Sequence, residues 1–462
     1  MLALLLALTA APADAAAPPA APAAPTAAPA PAPEVVIDAV LPCGLRVLTA
    51  RDMTLPVASV ALAIETGSED DPADLPGLIH ALAYQVEQGN RELRPGEAMA
   101  TTQDAGGVYR LATGAAQVRY ESVVPMSRLD AVLWVESQRL RFPTSSLPRW
   151  KQTLSWASSD DRVGSRLRPE ALAYVHGSAG LGHDGRVTGK PLSTVTEGVL
   201  AAQFASKFSY ARATLVVVAP ESPEALLAKI SPLFADLPQT ARMVPMRVVG
   251  PRTPAATVAK PAAEAAPAEG GEAVAASGGF PPEAVVVPLA RQRGVSFVWP
   301  IPPTAAGGAW ASAVCRAVNR QKKAPEPEEP RKARLVCDLE PDARRGVMIL
   351  RPTGADDAWQ FVRMRLARLA AVGPDAALLA AQAAVVGQAI HLMARTPQGL
   401  ARLLAMGGAP AAAGATTNFQ QQHRVEDLIG TASLADPGGR EKAAPGLLRV
   451  EDAVVLTFPE GR

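Results

Sequence analysis

The chain has 462 residues, which is enough for two or three domains that each bury a core. Its 45 Lys and Arg residues nearly balance 44 Asp and Glu residues, so the formal net charge is +1. This balance, without a long basic run, argues against a nucleic-acid partner and against binding to an anionic membrane surface. Arg or Gln interrupts every long apolar stretch, so the sequence predicts no membrane-spanning helix.

The first residues are predicted to be a secretory signal over 1–17, followed by an extended Ala/Pro tether over 18–33. The apolar stretch 2–8 is too short to span a bilayer, and the small residues at 13–15 suit a cleavage site. No Lys or Arg precedes Arg46, so the positive region that usually opens such a signal is missing, and a disordered tail is the alternative. A signal would direct the protein to the periplasm or outside the cell.

Residues 34–240 are predicted to form a first lobe of mixed helices and strands. Strands are predicted within 34–52, where a Pro-Cys-Gly turn joins two of them, and at 57–68, 118–125 and 213–220. Helices are predicted at 74–88, 127–142, 146–159 and 222–237, the first capped by Asp74 with Pro76 in its first turn. Strands that alternate with helices and also form hairpins indicate an α+β fold.

A stretch of Ala, Pro, Glu and Gly at 253–282 predicts a linker to a second, reduced lobe over residues 284–462. In this lobe the predicted strands lie at 294–303 and 448–460 and in a hairpin of 334–341 with 344–352, and the predicted helices at 309–319, 355–372 and 374–394. Cys315 and Cys337 could form a disulfide in an oxidising compartment; the alternative is that they and Cys43 are all unpaired.

Several segments of the first lobe follow one another in an order that is typical of a known family. They are LPCGLRV at 41–47, the Gly-Ser turn at 67–68, GLIHALAYQVEQGN, DAGGVYRLATG, VRYESVVP, LDAVLWVESQRLRF and ATLVVVAP. In order and spacing they resemble the insulinase/pitrilysin zinc metallopeptidases, most of all the branch related to mitochondrial processing peptidase. The resemblance covers residues 34–240 densely and 284–460 thinly. It implies two similar lobes, each an antiparallel sheet flanked by helices, that face each other across a cleft.

The resemblance extends to the helix that carries the family's zinc motif, His-x-x-Glu-His. In that motif, histidines at i and i+4 share one zinc, and the glutamate activates the water bound to the metal. The corresponding positions here hold His80, Ala83 and Tyr84, and Ser158 stands where a later helix supplies the third ligand. Because a catalytic zinc needs three protein ligands and alanine cannot act as a base, the resemblance implies a degenerate site that holds no zinc.

The helix of His80 is predicted to present one face beside its apolar stripe, formed by His80, Ala83, Tyr84 and Glu87. Either this face is solvated, or it lines a retained groove that binds peptides. Asp160 and Asp161 follow the position of the third ligand, and one of them could reach His80 in a rebuilt metal site. His183 resembles part of a family loop rather than a ligand.

The family's substrate-clamping motif, Gly-Gly-x-x-Asn, corresponds to Gly106-Gly107-Val108-Tyr109-Arg110 in this chain. Gly106, Gly107 and Arg110 are therefore candidate substrate-binding residues, although Arg110 replaces the asparagine. The second lobe departs further from the family, because the charged segment 320–333 stands where relatives have a Gly-rich loop. The Arg and Tyr with which active relatives grip the substrate backbone have no clear counterpart.

These losses predict a non-catalytic protein of the cell envelope. As an inactive, substrate-binding or scaffolding subunit, it would bind peptides and pair with an active homologue that carries an intact His-x-x-Glu-His. A stand-alone peptide-binding protein is the alternative. A zinc endopeptidase with rebuilt ligands is a third hypothesis, which the lack of a Gly-x-Ser-x-Gly motif, an activated cysteine and a second metal cluster disfavours. No cofactor is expected, although zinc is the family's metal.

Overall fold

The computed structural model describes residues 36–141, 147–160, 185–187, 189–243, 285–286, 294–300, 311, 315, 334–340, 347–353, 392–407, 420–423 and 454–458. The predicted signal, tether and linker lie outside these residues, as do His183, Asp161, the segment 320–333 and nearly all of the helices predicted at 309–319, 355–372 and 374–394. Within the described part of the chain, every helix is too short or too polar to cross a bilayer.

The described strands, in chain order, are β1 (Val36–Val40), β2 (Arg46–Arg51), β3 (Val57–Ile64), β4 (Val108–Thr113), β5 (Val118–Pro125), β6 (Ala213–Ala219), β7 (Val285–Val286), β8 (Gly294–Pro300), β9 (Arg334–Glu340), β10 (Val347–Thr353), β11 (Gln420–His423) and β12 (Val454–Phe458). They form a seven-stranded sheet with the order β11-β1-β2-β6-β3-β5-β4 and a five-stranded sheet with the order β7-β12-β8-β10-β9. Neighbouring strands are antiparallel except for β2 with β6 and β7 with β12.

The described helices are α1 (Leu78–Val86), α2 (Glu97–Asp104), α3 (Leu129–Arg139), α4 (Leu147–Ser159), α5 (Gly189–Ser193), α6 (Glu197–Lys207), α7 (Pro223–Ile230) and α8 (Pro397–Gly407). Helices therefore flank a sheet, and the predicted α+β fold is confirmed. The predicted strands and helices of the first lobe are present with small shifts at their ends. The elements that were not predicted are α2, β4, α5, α6, β7, α8 and β11.

The prediction for the start of the first helix is wrong, because α1 begins at Leu78 and not at an Asp74 cap. The carboxylate of Asp71 accepts hydrogen bonds from the backbone amides of Gly77 at 2.8 Å and Ile79 at 2.7 Å. Amides at a helix start lack partners within the helix, so this carboxylate fixes where α1 begins. Gly77 has φ +85°, and a Cβ there would lie 2.4 Å from Arg186 O, so only glycine fits this junction.

One face of the seven-stranded sheet packs against helices from the same half of the chain. Leu78, Ile79 and Leu82 of α1 are fully buried in this core, as the apolar stripe predicts. Trp150 of α4 is also buried, and its indole donates a hydrogen bond to Leu192 O at 2.8 Å. This layer brings α1 and α4 side by side over the sheet.

The opposite face of this sheet is covered by α8, which lies about 340 residues further along the chain than β3. The α8 side chains that pack there are Leu400, Ala401, Leu404 and Ala405, and the sheet side chains around them include Ala61, Ala63, Val216 and Val218. The alanines of the sheet let the helix approach closely. The strand β11 also joins this sheet, beside β1, so two segments within residues 284–462 complete the sheet of the first half.

The second sheet contains the predicted hairpin, in which β9 and β10 pair from Arg334 with Thr353 to Glu340 with Val347. Cys337 of β9 is bonded to Cys315, with the two Cα atoms 5.1 Å apart. The disulfide, one of the two alternatives left by the sequence, is therefore the arrangement present. Cys43 is buried as a free thiol.

Candidate functional site

The helix face that the sequence aligns with the zinc motif is buried at His80 and Ala83 and half-buried at Tyr84. His80 is 1% exposed, and its Nδ1 lies 3.0 Å from Thr113 Oγ1 at the end of β4. The ring of Tyr84 meets the ring of His80 edge to face, with centroids 5.1 Å apart and planes at 82°. Ala83 is also fully buried, and its carbonyl accepts a hydrogen bond from Tyr120 Oη at 3.0 Å. The predicted alternative of a solvated face is therefore wrong for His80 and Ala83.

The end of α4 supplies a partner for Tyr84. Tyr84 Oη donates a hydrogen bond to Asp160 Oδ2 at 2.8 Å, across the pair of packed helices α1 and α4. Ser158 is exposed, and its hydroxyl donates to Ser155 O at 3.0 Å. The structure thus brings together His80, Tyr84 and Asp160, and it places Ser158 on the far side of its helix.

The helical period explains why Ser158 points away. Thr153 of α4 donates a hydrogen bond to Gln85 Oε1 at 2.6 Å, and Ala157, four residues later, is 2% exposed. Positions 153, 157 and 160 follow one another at spacings of four and three, so they share the face that looks toward α1. Ser158 is turned away from that face by one residue.

The residues of this face do not fit a catalytic zinc. Such a site takes three protein ligands and an open position, together with a base for the water. The face offers one imidazole, that of His80, which contacts Thr113. Two carboxylates adjoin it: that of Asp160 accepts from the phenol of Tyr84, and that of Glu87 is bonded to Tyr109 and Arg139. Among the described residues, no three His, Cys, Asp or Glu side chains cluster in a way that could hold a metal ion. We therefore derive no chemistry through zinc at this face.

The remaining member of the face, Glu87, belongs to a buried ion-pair network. Glu87 Oε1 accepts hydrogen bonds from Tyr109 Oη at 2.6 Å and from Arg139 Nη1, and its side chain is 11% exposed. Arg139 also binds both carboxylate oxygens of Glu136, at 2.7 and 2.8 Å, and lies 4.3 Å above the ring of Tyr120. The network ties α1, α3 and β4 together.

The acidic side chains around Arg139 keep its buried guanidinium charged. Burial disfavours the charged guanidinium of Arg139, but the neighbouring Glu136, Tyr109 and Glu87 outweigh burial and raise its pKa well above the ordinary value. Burial also raises the pKa of Tyr109 well above its ordinary value, so Tyr109 stays a hydrogen-bond donor. The sequence did carry one sign of this network, because Glu136 and Arg139 lie three residues apart on a predicted helix.

The candidate substrate-binding residues lie at and after the turn between α2 and β4. Gly106 has φ +73°, and a Cβ on Gly107 would lie 2.3 Å from Val123 O and 2.8 Å from Thr102 O. The glycines therefore let the chain leave α2 and enter β4 in close contact with β5. Arg110 follows Gly107 by three residues and is exposed on β4, the last strand in the order of the described seven-stranded sheet. The same strand reaches His80 through Thr113.

The chain matches no family model, and a search of curated proteins found no match either. Solved structures do match it. A protease from Helicobacter pylori has a TM-score of 0.60 at 12% identity, over 93% of this chain and 100% of that one. A peptidase M16 inactive domain from Pseudomonas fluorescens has a TM-score of 0.62 at 15% identity, over 92% of this chain and 98% of that one.

Two longer proteins share the fold over part of their length. The periplasmic protease PqqL from Escherichia coli has a TM-score of 0.62 at 15% identity, over 94% of this chain and 48% of that one. Pitrilysin has a TM-score of 0.57 at 13% identity, over 91% of this chain and 44% of that one. This chain therefore spans about half the length of each. At these identities the comparisons show the fold, which is that of the M16, insulinase-like peptidases.

Proposed function

We propose that this chain is a non-catalytic, peptidase-like protein of the cell envelope, which binds extended peptides and serves as the inactive subunit of a peptidase complex. The observation that carries the proposal is the hydrogen bond from Tyr84 to Asp160 at 2.8 Å, beside the buried Ala83. A phenol and a methyl group stand where the chemistry of an M16 peptidase needs an imidazole and a carboxylate. The structure around them is packed, so the change supports a fold kept without its reaction.

The strand β4 supports the peptide-binding part of the proposal. It ends the order of the described seven-stranded sheet, so one row of its backbone amides and carbonyls faces away from β5. A strand edge of this kind can pair with an extended peptide by main-chain hydrogen bonds, while alternate side chains provide specificity. Gly106 and Gly107 set the position of this strand, which gives them a role even without the motif's asparagine.

The partner proposal rests on the lengths of the similar proteins. Pitrilysin and PqqL are about twice as long as the region that this chain matches, and a separate inactive M16 domain is also among the similar structures. A unit whose helix face lacks the zinc ligands is suited to pairing with a second, active M16-like unit. A lasting complex would bury about 1,200–2,000 Å² between the two subunits.

The location proposal has two supports. The disulfide between Cys315 and Cys337 is a bond that forms and persists in oxidising compartments such as the periplasm. One of the similar structures is described as a periplasmic protease. Together with the signal predicted over residues 1–17, these observations favour the bacterial envelope.

Affinity capture of the tagged chain from its native cells, followed by identification of the captured proteins, tests the subunit proposal. We expect a homologue with an intact His-x-x-Glu-His, whose peptidase activity falls when this chain is deleted. Capture of a monomer without such a companion contradicts the subunit role and leaves the stand-alone peptide-binding protein. An Arg139→Met variant, which should disturb the fold, serves as the control for capture that depends on the folded chain.

A further inference from the structure

Arg110 is one of three arginines that share one face of the β4–β5 strand pair. In the register of the two strands, Arg110 is directly opposite Glu121, and Arg119 lies two residues before Glu121 on the same face. Arg119 Nε donates to Glu121 Oε1 at 3.2 Å. From α8, Arg402 binds the same carboxylate with Nη2 at 2.6 Å and Nε at 3.1 Å. One glutamate is therefore bonded by two arginines and lies opposite a third in the strand register.

The carboxylate of Glu121 is already occupied by its two bonded arginines. Burial works to raise the pKa of Glu121, but hydrogen bonds and charge from Arg402 and Arg119 outweigh it and hold the pKa below its ordinary value. Glu121 is 4% exposed and ionised. Arg110 is exposed, and within the part of the chain that the structure describes it makes no ion pair. The cluster of Arg110, Arg119, Arg402 and Glu121 therefore carries a net charge of +2.

No other carboxylate of the two strands offsets this charge on their shared face. Glu65 follows β3 and continues its register with β5 to Gln117, whose Nε2 donates to it at 3.1 Å. This carboxylate therefore lies at the Arg119 end of the same face, whereas Arg110 pairs with Glu121 further along β5. Toward the Gly106 end, the neighbour of Arg110 on its own strand and face is Val108, which is 60% exposed and pairs in register with Val123. The accessible end of β4 thus presents one apolar side chain and one cation, two residues apart.

We propose that the open edge of β4 binds extended acidic peptides, with a peptide Asp or Glu carboxylate bonded to Arg110 and an apolar side chain two residues away against Val108. This inference rests on the proposed peptide-binding function and names its class of ligand. The spacing follows from strand pairing, because alternate residues of an added strand face the same side of the sheet as Arg110. An arginine can bond a carboxylate through two parallel N–H groups, and the charge of Arg119 and Arg402 adds to the attraction.

Fluorescence anisotropy with three labelled hexapeptides tests the inference. The peptides alternate Val with Glu, with Gln or with Lys, and are titrated with the full chain at low and at high salt. We expect the Glu peptide to bind about tenfold more tightly than the Gln peptide at low salt, and the difference to shrink at high salt. The Lys peptide should bind most weakly of the three.

The matched variants are Arg110→Gln and Arg51→Gln. Both remove one exposed positive charge, but Arg51 ends β2, which lies four strands from β4 in the sheet, where it donates to Pro220 O at 3.1 Å. We expect Arg110→Gln to abolish the preference for the Glu peptide, Arg110→Lys to keep part of it, and Arg51→Gln to leave it unchanged. Thermal melting followed by circular dichroism confirms that each variant is folded.

The outcomes separate this inference from the function on which it rests. Equal binding of the Glu and Gln peptides overturns the acidic preference and leaves peptide binding intact. A preference for Glu that survives Arg110→Gln overturns the assignment to Arg110. Binding of none of the three peptides, at protein concentrations up to the millimolar range, overturns both the acidic preference and the proposed peptide-binding function.

Discussion

Tyr84 donates a 2.8 Å hydrogen bond to Asp160, and this bond joins α1 to the end of α4, at the helix face that the sequence resemblance aligns with the zinc motif of the M16 peptidases. A metal ion ties separate elements together by its ligand bonds. Here a phenol and a carboxylate provide one such link, and His80 provides another through Thr113. His80 and Tyr84 therefore connect α1 to β4 and to the end of α4.

The strength of this joint can be measured with Tyr84→Phe, which removes only the hydroxyl. Because the acceptor is a carboxylate and the site is half-buried, we expect the free energy of unfolding to fall by about 1–2 kcal/mol. Urea unfolding of Tyr84→Phe, Asp160→Asn and the double variant measures the coupling between the two residues. Additive effects of the two single substitutions would contradict a direct bond between them.

Arg139 should be far more important for stability than its place on a single helix suggests. Replacement by Met keeps the size of the side chain but leaves the buried carboxylates of Glu136 and Glu87 without their cation. We expect a loss of about 3–5 kcal/mol in the free energy of unfolding by urea. Arg94→Gln is the control, since its ion pair with Glu97 is exposed and its loss should cost no more than about 0.5 kcal/mol. A loss below 1 kcal/mol for Arg139→Met would contradict the network.

The sequence alone predicts those strands whose own apolar pattern is strong enough to identify them without knowledge of the strands that pair with them. The segments 57–68, 118–125 and 213–220 are apolar enough to predict β3, β5 and β6 whatever they pair with. In contrast, β4 is short and carries the charged Arg110 in its middle, and it is a strand because β5 pairs with it and because Gly107 allows close approach. Similarly, α8 and β11 join a sheet built more than 150 residues earlier in the chain, which a local pattern cannot reveal.

The sequence predicts which side chains share the helix face of His80, but it does not predict which residues of other elements contact them. Periodicity placed His80, Ala83, Tyr84 and Glu87 on one face, and the structure keeps them there. Whether that face meets water or protein depends on partners from other elements, namely Thr113, Asp160 and Arg139. Those partners could not be identified from the spacing of residues within a single helix.

The stability of the α8 contact should depend on pH through Glu121. Its folded pKa is lowered, so the ion pairs with Arg402 and Arg119 stabilise the fold above the ordinary carboxyl pKa and are lost as pH falls through the folded pKa. We expect the difference in unfolding free energy between the wild type and Glu121→Gln to shrink as the pH is lowered from about 6 to about 3. A difference that stays constant over this range would contradict the shift.

The three cysteines should react in two distinct ways, one for the free Cys43 and one for the bonded pair Cys315 and Cys337. Burial raises the pKa of the Cys43 thiol, so it should not react with a thiol reagent in the native protein. Unfolding in denaturant without reductant should expose one thiol per chain, and reduction should expose all three, because Cys315 and Cys337 are bonded. Cys43→Ala provides the control, with no thiol before reduction. Three thiols before reduction, in protein isolated from an oxidising compartment, would contradict the disulfide.

Zinc binding should return when the helix face is given back two residues. The double variant Ala83→Glu with Tyr84→His restores the family motif, and His80 is already at the correct i, i+4 spacing. Asp160 supplies the third ligand, because its carboxylate already reaches the side chain at position 84. We expect the wild type to hold no stoichiometric zinc after dialysis against trace zinc, and the double variant to hold about one ion per chain by elemental analysis.

Further variants test whether the third zinc ligand is Asp160, as the structure suggests, or a residue at position 158, as the sequence resemblance suggests. Adding Asp160→Asn to the double variant should remove the zinc, and adding Ser158→Glu to that triple variant should not restore it, because Ser158 is exposed and turned away from α1. Peptidase activity should stay low in the zinc-loaded double variant, since Arg110 still replaces the asparagine that positions substrate in the family. One tightly held zinc per chain in the wild type would refute the non-catalytic proposal itself. A folded double variant that takes up no zinc would instead show that Asp160 is too far from the restored pair to complete a metal site.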